Sequence, residues 1–253
     1  MKNFVKIILV LCFILQEITV QSQENAIFNQ ANKAYMQKDY PTAIRLYSDI
    51  ISAGNVSADV YYNLGNAYFK NNQLSNAILW YERALRIDPS NEDIIHNIAF
   101  ANSRITDEME IMPVFFLNRW FKNMYSLLSS TAWAVASIVL CVCLFLLVVI
   151  LCLSLSVKRR IFLFFASIAM FLFLAMSITF AYMQHKQSMR KDEAIIMRMS
   201  VVVKSMPDKA GTDLFTVHEG LKVQLMDKVG NWIEVVFPNG HKGWIEETSV
   251  EII

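Results

Sequence analysis

The chain lacks charged side chains over two long stretches, 123–157 and 161–184. No Asp, Glu, Lys, Arg or His occurs in either of them. Each stretch is long enough for the roughly 20 apolar residues that a membrane-spanning helix needs. We therefore expect transmembrane helices at 131–157 and 161–184, joined into an antiparallel hairpin by a cytoplasmic turn at 158–160.

Cysteine is absent from the segments on both sides of this hairpin. The four cysteines are Cys12, near the start of the chain, and Cys141, Cys143 and Cys152, in the first expected span. The soluble segments can therefore form no disulfide framework, even in an oxidising compartment. They also contain no cysteine nucleophile.

Other constellations for catalysis or metal binding are missing as well. The histidines are scattered over three segments, at His96, His185, His218 and His241. None pairs with another at metal-ligand spacing beside a third donor. Ser188 and Lys191 match the S-x-x-K pattern of penicillin-interacting enzymes, but the chain around them is far too short for that fold. We expect no catalytic residue, no metal and no cofactor.

An excess of basic residues is also lacking. Segment 24–110 has seven Lys and Arg against eleven Asp and Glu, and segment 194–253 has six against eight. Nucleic-acid binding needs a basic face, so we expect no nucleic-acid partner.

The start of the chain has the pattern of a secretory signal peptide. Lys2 and Lys6 flank the start of an apolar run, and 20–22 offers a cleavage site with small residues. A signal peptide at 1–22 would export the segment that follows it. The positive-inside rule independently places the Lys-Arg-Arg cluster at 158–160 in the cytoplasm. Both signals predict that the soluble segments lie on the exported side of the membrane.

A unit of 34 residues fills 58–91 and has the tetratricopeptide pattern. The matching positions are Tyr61, Leu64, Gly65, Tyr68, Ala77, Tyr81, Ala84 and Pro89. Small residues at Gly65 and Ala77 let two helices approach closely. Segment 24–57 repeats the unit more loosely, and helical spacing after 91 indicates a closing helix. We expect two repeats and a capping helix within 23–110, supported by the membrane-proximal segment or a partner, because such arrays usually need about three repeats.

The inner helices of such repeats form a concave groove. Repeat positions predict that it is lined by Phe28, Asn32, Tyr35, Tyr62, Asn63, Asn66, Phe69, Lys70 and His96. Aromatic and amide groups suit an extended peptide or a helix. The alternative is that Asn63 and Asn66 are only consensus residues of the repeat. A carboxylate-clamp groove is disfavoured, because Phe28 and Asp93 stand where its cations would be.

Segment 111–130 has the pattern of an interfacial amphipathic helix. Trp120 and Phe121 lie beside the basic residues Arg119 and Lys122. Aromatic rings with basic neighbours are typical of the headgroup region, so membrane lipid is an expected partner. A partner-binding face is the alternative for this segment.

From Ala194 the pattern changes to short β-runs separated by glycine and proline turns. This spacing predicts a small antiparallel barrel at 194–253. The closing Gly243-Trp244-Ile245 resembles bacterial SH3-like domains. That resemblance implies a core or groove wall built from Leu214, Val223, Trp232, Val235 and Trp244. Some domains of this kind bind cell-wall peptides.

The order of these segments resembles the BatE family of the bacterial aerotolerance (Bat) operon over essentially the whole chain. The most telling stretches are Ala31-Asn32-Lys33-Ala34-Tyr35, Arg119-Trp120, Asp192-Glu193-Ala194-Ile195 and Gly211-Thr212-Asp213-Leu214-Phe215. The resemblance implies a protein of the bacterial inner membrane whose two soluble domains face the periplasm. It also implies partners among Bat proteins with von Willebrand A domains and a MoxR-type ATPase, and a task in envelope integrity or oxidative-stress tolerance.

We therefore predict a multidomain membrane protein with all-α tetratricopeptide repeats, a two-helix transmembrane hairpin and a small all-β SH3-like barrel. Its predicted function is that of a periplasmic interaction scaffold, not an enzyme. The alternative is a cell-wall sensor whose barrel binds peptidoglycan.

Overall fold

The computed structural model describes residues 26–107, 109 and 115–253. The predicted signal peptide and the first residues of the predicted interfacial segment lie outside the described residues. The chain divides into two compact units. Of the described residues, the first unit contains 26–84, 93–107, 109 and 192–253, and the second contains 85–92 and 115–191.

The repeats consist of paired helices. These are α1, described over 26–36, α2 (Tyr40–Ser52), α3 (Ala58–Lys70), α4 (Leu74–Ile87) and α5 (Glu92–Asn102). Side-chain oxygens of Asp39 and Ser57 accept backbone N–H groups at the starts of α2 and α3. Lys38 (φ 65°) and Asn72 (φ 58°) lie one repeat length apart and turn the chain between the helices of each pair. The 34-residue period of the sequence is therefore also seen in the backbone conformation of these turns.

The two helices of each pair are held together by the same tyrosine–asparagine contact. The Tyr47 hydroxyl donates to Asn32 Oδ1 at 2.5 Å, and the Tyr81 hydroxyl donates to Asn66 Oδ1 at 2.7 Å. Both tyrosines are at most 2% exposed. A Cβ on Gly65 would lie 2.6 Å from Tyr81 Cδ1, so glycine lets the ring lie directly on α3.

The apolar part of the chain forms α6 (Phe116–Tyr125), α7 (Ser130–Leu153) and α8 (Val157–Ser188). Helices α7 and α8 are each long and apolar enough to cross a membrane. They pack as an antiparallel hairpin, with Ser137 Oγ 2.9 Å from Ser177 Oγ. The rings of Trp133 and Phe180 lie 5.2 Å apart on the same side of the pair.

The bounds of this hairpin differ from those predicted. The helices break at 154–156, so the cations at 158–160, which were expected in the turn, lie in the first turn of α8. Arg159 Nε donates to Ser154 Oγ at 2.9 Å, which ties the start of α8 to the break. Helix α8 also continues to Ser188, beyond the expected end at 184. Lysine and arginine are good helix formers, so the cations at 158–160 end the apolar run but do not interrupt the helix.

The last part of the chain forms an antiparallel sheet of seven strands in the order β3-β2-β6-β5-β4-β1-β7. The strands are β1 (Glu193–Ile196), β2 (Ser200–Lys204), β3 (Asp213–His218), β4 (Lys222–Val229), β5 (Trp232–Val236), β6 (Lys242–Glu246) and β7 (Val250–Ile252). Alternate residues of β2, β5 and β6 point into an apolar core. Val223 and Val235 belong to that core as expected, whereas Leu214 is 48% exposed.

The repeats and the sheet pack against each other through apolar side chains. Ile105 and Met109, which follow α5, pack against the core of the sheet. Gly220 (φ 88°) lies at the closest point, where a Cβ would be 2.8 Å from Ile105 Cγ2 and 3.1 Å from Ile78 Cδ1. A side chain there would separate the two parts, and the left-handed backbone also favours glycine.

Charged groups from both parts meet around this apolar contact. Lys222 Nζ lies 2.8 Å from a carboxylate oxygen of Glu82 and 3.1 Å from one of Glu193. Ser75 Oγ donates to Glu219 at 2.7 Å. The sheet therefore packs on α4 and on the segment after α5. This contact with the β domain supports the repeats, while support from the membrane-proximal segment or a partner stays a prediction.

Candidate partner-binding surface

The predicted groove residues all lie on the inner helices α1, α3 and α5. Most are half-buried, which suits side chains that line a shallow concave surface: Phe28, Asn32, Tyr35, Tyr62, Asn63, Asn66 and Phe69. Lys70 and His96 are exposed. The order of contacts shows that α3 and α5 run parallel, since Tyr62 contacts Asn97 and Phe69 contacts Phe100.

A hydrogen-bonded cluster forms the centre of this groove. Asn97 Nδ2 donates to the Tyr62 hydroxyl and to Asn66 Oδ1, each at 2.9 Å. The Tyr81 hydroxyl donates to the same Asn66 oxygen at 2.7 Å. The carbonyl oxygen of Asn66 is thus used within the protein, and Asn66 holds three helices together. Within the described part of the chain, the neighbouring Asn63 side chain makes no such bond.

Sequence reasoning missed Asn97 and assigned its neighbour His96 instead. The signal was present, because Asn29, Asn63 and Asn97 recur at intervals of one repeat. Repeat position selected His96, which stands in register with Phe28 and Tyr62, and the recurrence one residue later was not used.

Burial keeps the tyrosines of the groove protonated. Desolvation, and to a smaller degree the neighbouring Tyr40 and Tyr62 hydroxyls, raises the pKa of Tyr35. Burial raises the pKa of Tyr47 to about 12 and also raises that of Tyr81. At neutral pH these groups are hydroxyls, which can donate and accept hydrogen bonds but carry no charge.

The predicted membrane-edge residues lie on α6 and present their rings to the surroundings. Trp120 is 56% and Phe121 is 47% exposed, with ring centroids 5.3 Å apart. Arg119 and Lys122 lie on the same helix, which carries no acidic residue. This composition fits a lipid headgroup layer better than water.

A cleft of about 290 Å³ opens on the outer face of the sheet. Trp232 and Val202 supply its apolar wall, and Arg198 and Lys209 lie among its lining residues. Arg198 pairs with Glu246 at 3.1 Å. Trp232 thus lines this cleft and is not part of the buried core.

Within the described residues, no group of three or more His, Cys, Asp or Glu is arranged to hold a metal ion.

Comparison with known proteins identifies one of these segments. The family model for the tetratricopeptide repeat matches residues 58–91. The human protein named tetratricopeptide repeat protein 6 is 36% identical over 61 residues, which cover 24% of this chain and 12% of that protein. The predicted repeat at 58–91 is confirmed. Such repeats mediate protein–protein interactions and are typical of non-enzymatic scaffolds.

Proposed function

We propose that this chain is a membrane-anchored protein–protein interaction scaffold in the periplasm. One observation carries the proposal: the inner helices α1, α3 and α5 carry half-buried aromatic and amide groups around a hydrogen-bonded central cluster. Such a surface suits an extended peptide or a helix from a partner. A rigid, ordered surface also lowers the entropic cost of binding.

The proposed partners are Bat-type membrane proteins with von Willebrand A domains, together with a MoxR-type ATPase system. The proposed task is aerotolerance or defence against envelope stress. Support comes from the order of leader, repeats, apolar hairpin and β domain, and from the stretches that resemble the BatE family. The SH3-like assignment is part of the same proposal and is supported by Gly243-Trp244-Ile245 at β6.

Site-specific photocrosslinking in bacterial membranes tests the scaffold function. Three separate variants would carry a photoreactive residue in place of Tyr62 in the groove, Trp120 on α6 or Arg45 on an outer helix. Arg45, whose side chain is 65% exposed, is the control position. We expect the residue at position 62 to capture a von Willebrand A-domain protein specifically. The residue at position 120 should crosslink to lipid and not to the von Willebrand A-domain protein. Mass spectrometry of the crosslinked products provides the measurement.

The second candidate function, peptidoglycan binding by the β domain, is favoured by the cleft beside Trp232. A fourth photoreactive position at Trp232 tests it in the same membranes. Muropeptide adducts at Trp232 without capture at Tyr62 would replace the scaffold function by the sensor function. Equal capture of one protein at Tyr62 and Arg45 would also argue against the groove as the binding surface.

The proposed orientation gives a separate prediction. The repeats and the sheet belong to one compact unit, so both must lie on the same side of any membrane that α7 and α8 cross. Positive charge at 158–160 favours a cytoplasmic tip for the hairpin. Alkaline phosphatase, which is active only after export, should be active when fused after Ile253 and inactive when inserted after Ser156. The opposite pattern would place the soluble unit in the cytoplasm.

A further inference from the structure

One end of the concave surface combines exposed aromatic rings with positive charge. The ring centroids of Phe69 and Phe100 lie 5.6 Å apart, and Phe100 is 44% exposed. The guanidinium of Arg104 lies 4.9 Å from the centre of the Phe100 ring. Lys70, in the last turn of α3, is exposed beside Phe69 in the chain. We call Phe69, Lys70, Phe100 and Arg104 the basic aromatic end of the groove.

The opposite end of the same helices is acidic. Asp59 lies in the first turn of α3, and Asp93 lies near the start of α5. Because α3 and α5 run parallel, these two residues share one end of the groove and the cations share the other. Neither 67–72 nor 99–104 contains an Asp or Glu. The groove is therefore polarised along its helices.

Helix stability explains only part of this arrangement. A lysine in the last turn, such as Lys70, stabilises a helix by interacting with its dipole. Arg104, in contrast, lies beyond the last residue of α5 and stacks on a ring that remains exposed. This stacking orders the guanidinium in advance and leaves its N–H groups available around the ring edge.

We infer that the basic aromatic end binds an acidic segment of a partner protein, in which Asp or Glu stands next to an aromatic or large aliphatic residue. The apolar residue packs on Phe69 and Phe100, and the carboxylate accepts hydrogen bonds from Arg104 and pairs with Lys70. The inference rests on the proposed function, and it adds the chemistry and the direction of the bound segment. A basic residue elsewhere in that segment would lie toward Asp59.

Selection from a phage-displayed library of random 12-residue peptides on the full chain in lipid nanodiscs tests this inference. We expect peptides rich in Asp or Glu beside Phe, Trp or Leu. Substitution Arg104→Glu should weaken their binding about ten-fold, the loss of one charge-assisted contact, and Arg104→Lys, which keeps the charge but loses the planar stacked guanidinium, should weaken it less. Phe100→Ala should weaken the same peptides. Arg45→Glu, on an outer helix, should leave binding unchanged.

The outcomes separate this inference from the proposed function. Peptides that depend on Phe100 but carry no acidic residue, or that bind Arg104→Glu as well as the native chain, would overturn the inference and leave the scaffold function intact. If no selected peptide depends on Phe100, the inference also fails. Photocrosslinking at Tyr62, which does not depend on charge at this end, then decides whether the groove binds a partner at all.

Discussion

Replacement of Tyr81 by alanine should destabilise the repeats by about 3–5 kcal/mol, the usual cost of removing a large buried aromatic side chain. The Tyr81 ring is 2% exposed and lies directly on α3 at Gly65. Removal of the ring leaves a cavity that the rigid helix pair cannot close, and it also removes the hydrogen bond to Asn66. The free energy of unfolding can be measured by urea denaturation in mild detergent, with hydrogen exchange of α3 and α4 as a local measurement.

Tyr81→Phe separates packing from hydrogen bonding at this position. It keeps the ring and removes only the hydroxyl, so the expected cost is about 1 kcal/mol. Tyr47→Phe is a matched variant in the first repeat, because Tyr47 bonds to Asn32 as Tyr81 bonds to Asn66. If Tyr81→Ala cost no more than Tyr81→Phe, the ring would not stabilise the helix pair, and the close approach at Gly65 would need another explanation.

The sequence predicts the repeat helices well because their packing is local. Gly65 and Tyr81 stand at fixed positions within one 34-residue unit, and the same spacing relates Ala31 to Tyr47. A periodic pattern therefore reports the helix pair, its close contact and the residues of the inner helices. The sequence also predicts the two apolar helices, because an uncharged apolar stretch of this length is typical of a membrane-spanning helix.

The contact between the repeats and the sheet could not be predicted in this way. Its residues are far apart in the chain and include charged ones, such as Glu82 and Lys222, and a charged residue on an amphipathic helix normally indicates solvent. Glu82 and Lys222 become neighbours only in the folded protein, and no repeating pattern in the sequence predicts their contact. The role of Asn97 was missed for a different reason, because repeat position selected His96, and only the structure shows the hydrogen bonds from Asn97 to Tyr62 and Asn66.

The same contact determines how binding at the groove can be transmitted to the β domain. Helix α5 carries Asn97 and Phe100 in the groove, and the chain that follows it reaches the sheet within a few residues. There Asp107 accepts the backbone N–H of His218 and lies 2.8 Å from its Nδ1. A partner that moves α5 would therefore also displace an anchor of β3. If the proposed groove and the cleft of the β domain both bind partners, two modest contacts on one compact unit can give high avidity.

Lys222→Met should destabilise the repeats and the sheet together, by about 1–3 kcal/mol. The substitution keeps an apolar stem of similar length but leaves Glu82, whose side chain is 11% exposed, without its cation. Removal of one partner from a fully buried ion pair costs roughly 3–5 kcal/mol. The expected value is lower here because the Lys222 side chain is 37% exposed and water screens the pair. Hydrogen exchange should increase in both α4 and β4, because the pair joins these two elements.

Lys228→Met is the matched control for this prediction. Lys228 is also a lysine of β4, but its pair with Glu247 is about half exposed on both sides, so we expect a loss below about 0.5 kcal/mol. Adding Glu82→Gln to Lys222→Met should recover part of the stability by removing the unpaired buried charge. Equal losses for Lys222→Met and Lys228→Met would mean that the pair contributes no more than an ordinary surface contact.

The pH dependence of this loss provides a second measurement. Burial lowers the pKa of Lys222, but the nearby carboxylates of Glu82 and Glu193 outweigh burial and raise it above the ordinary value of 10.5. A raised lysine pKa stabilises the folded state at every pH below the pKa of the unfolded chain, and this contribution disappears as the pH rises through the folded value. The difference in unfolding free energy between the native chain and Lys222→Met should therefore be constant near neutral pH and shrink above about pH 10.4. A difference that stayed constant through this alkaline range would show that Lys222 acts through packing of its stem and not through its charge.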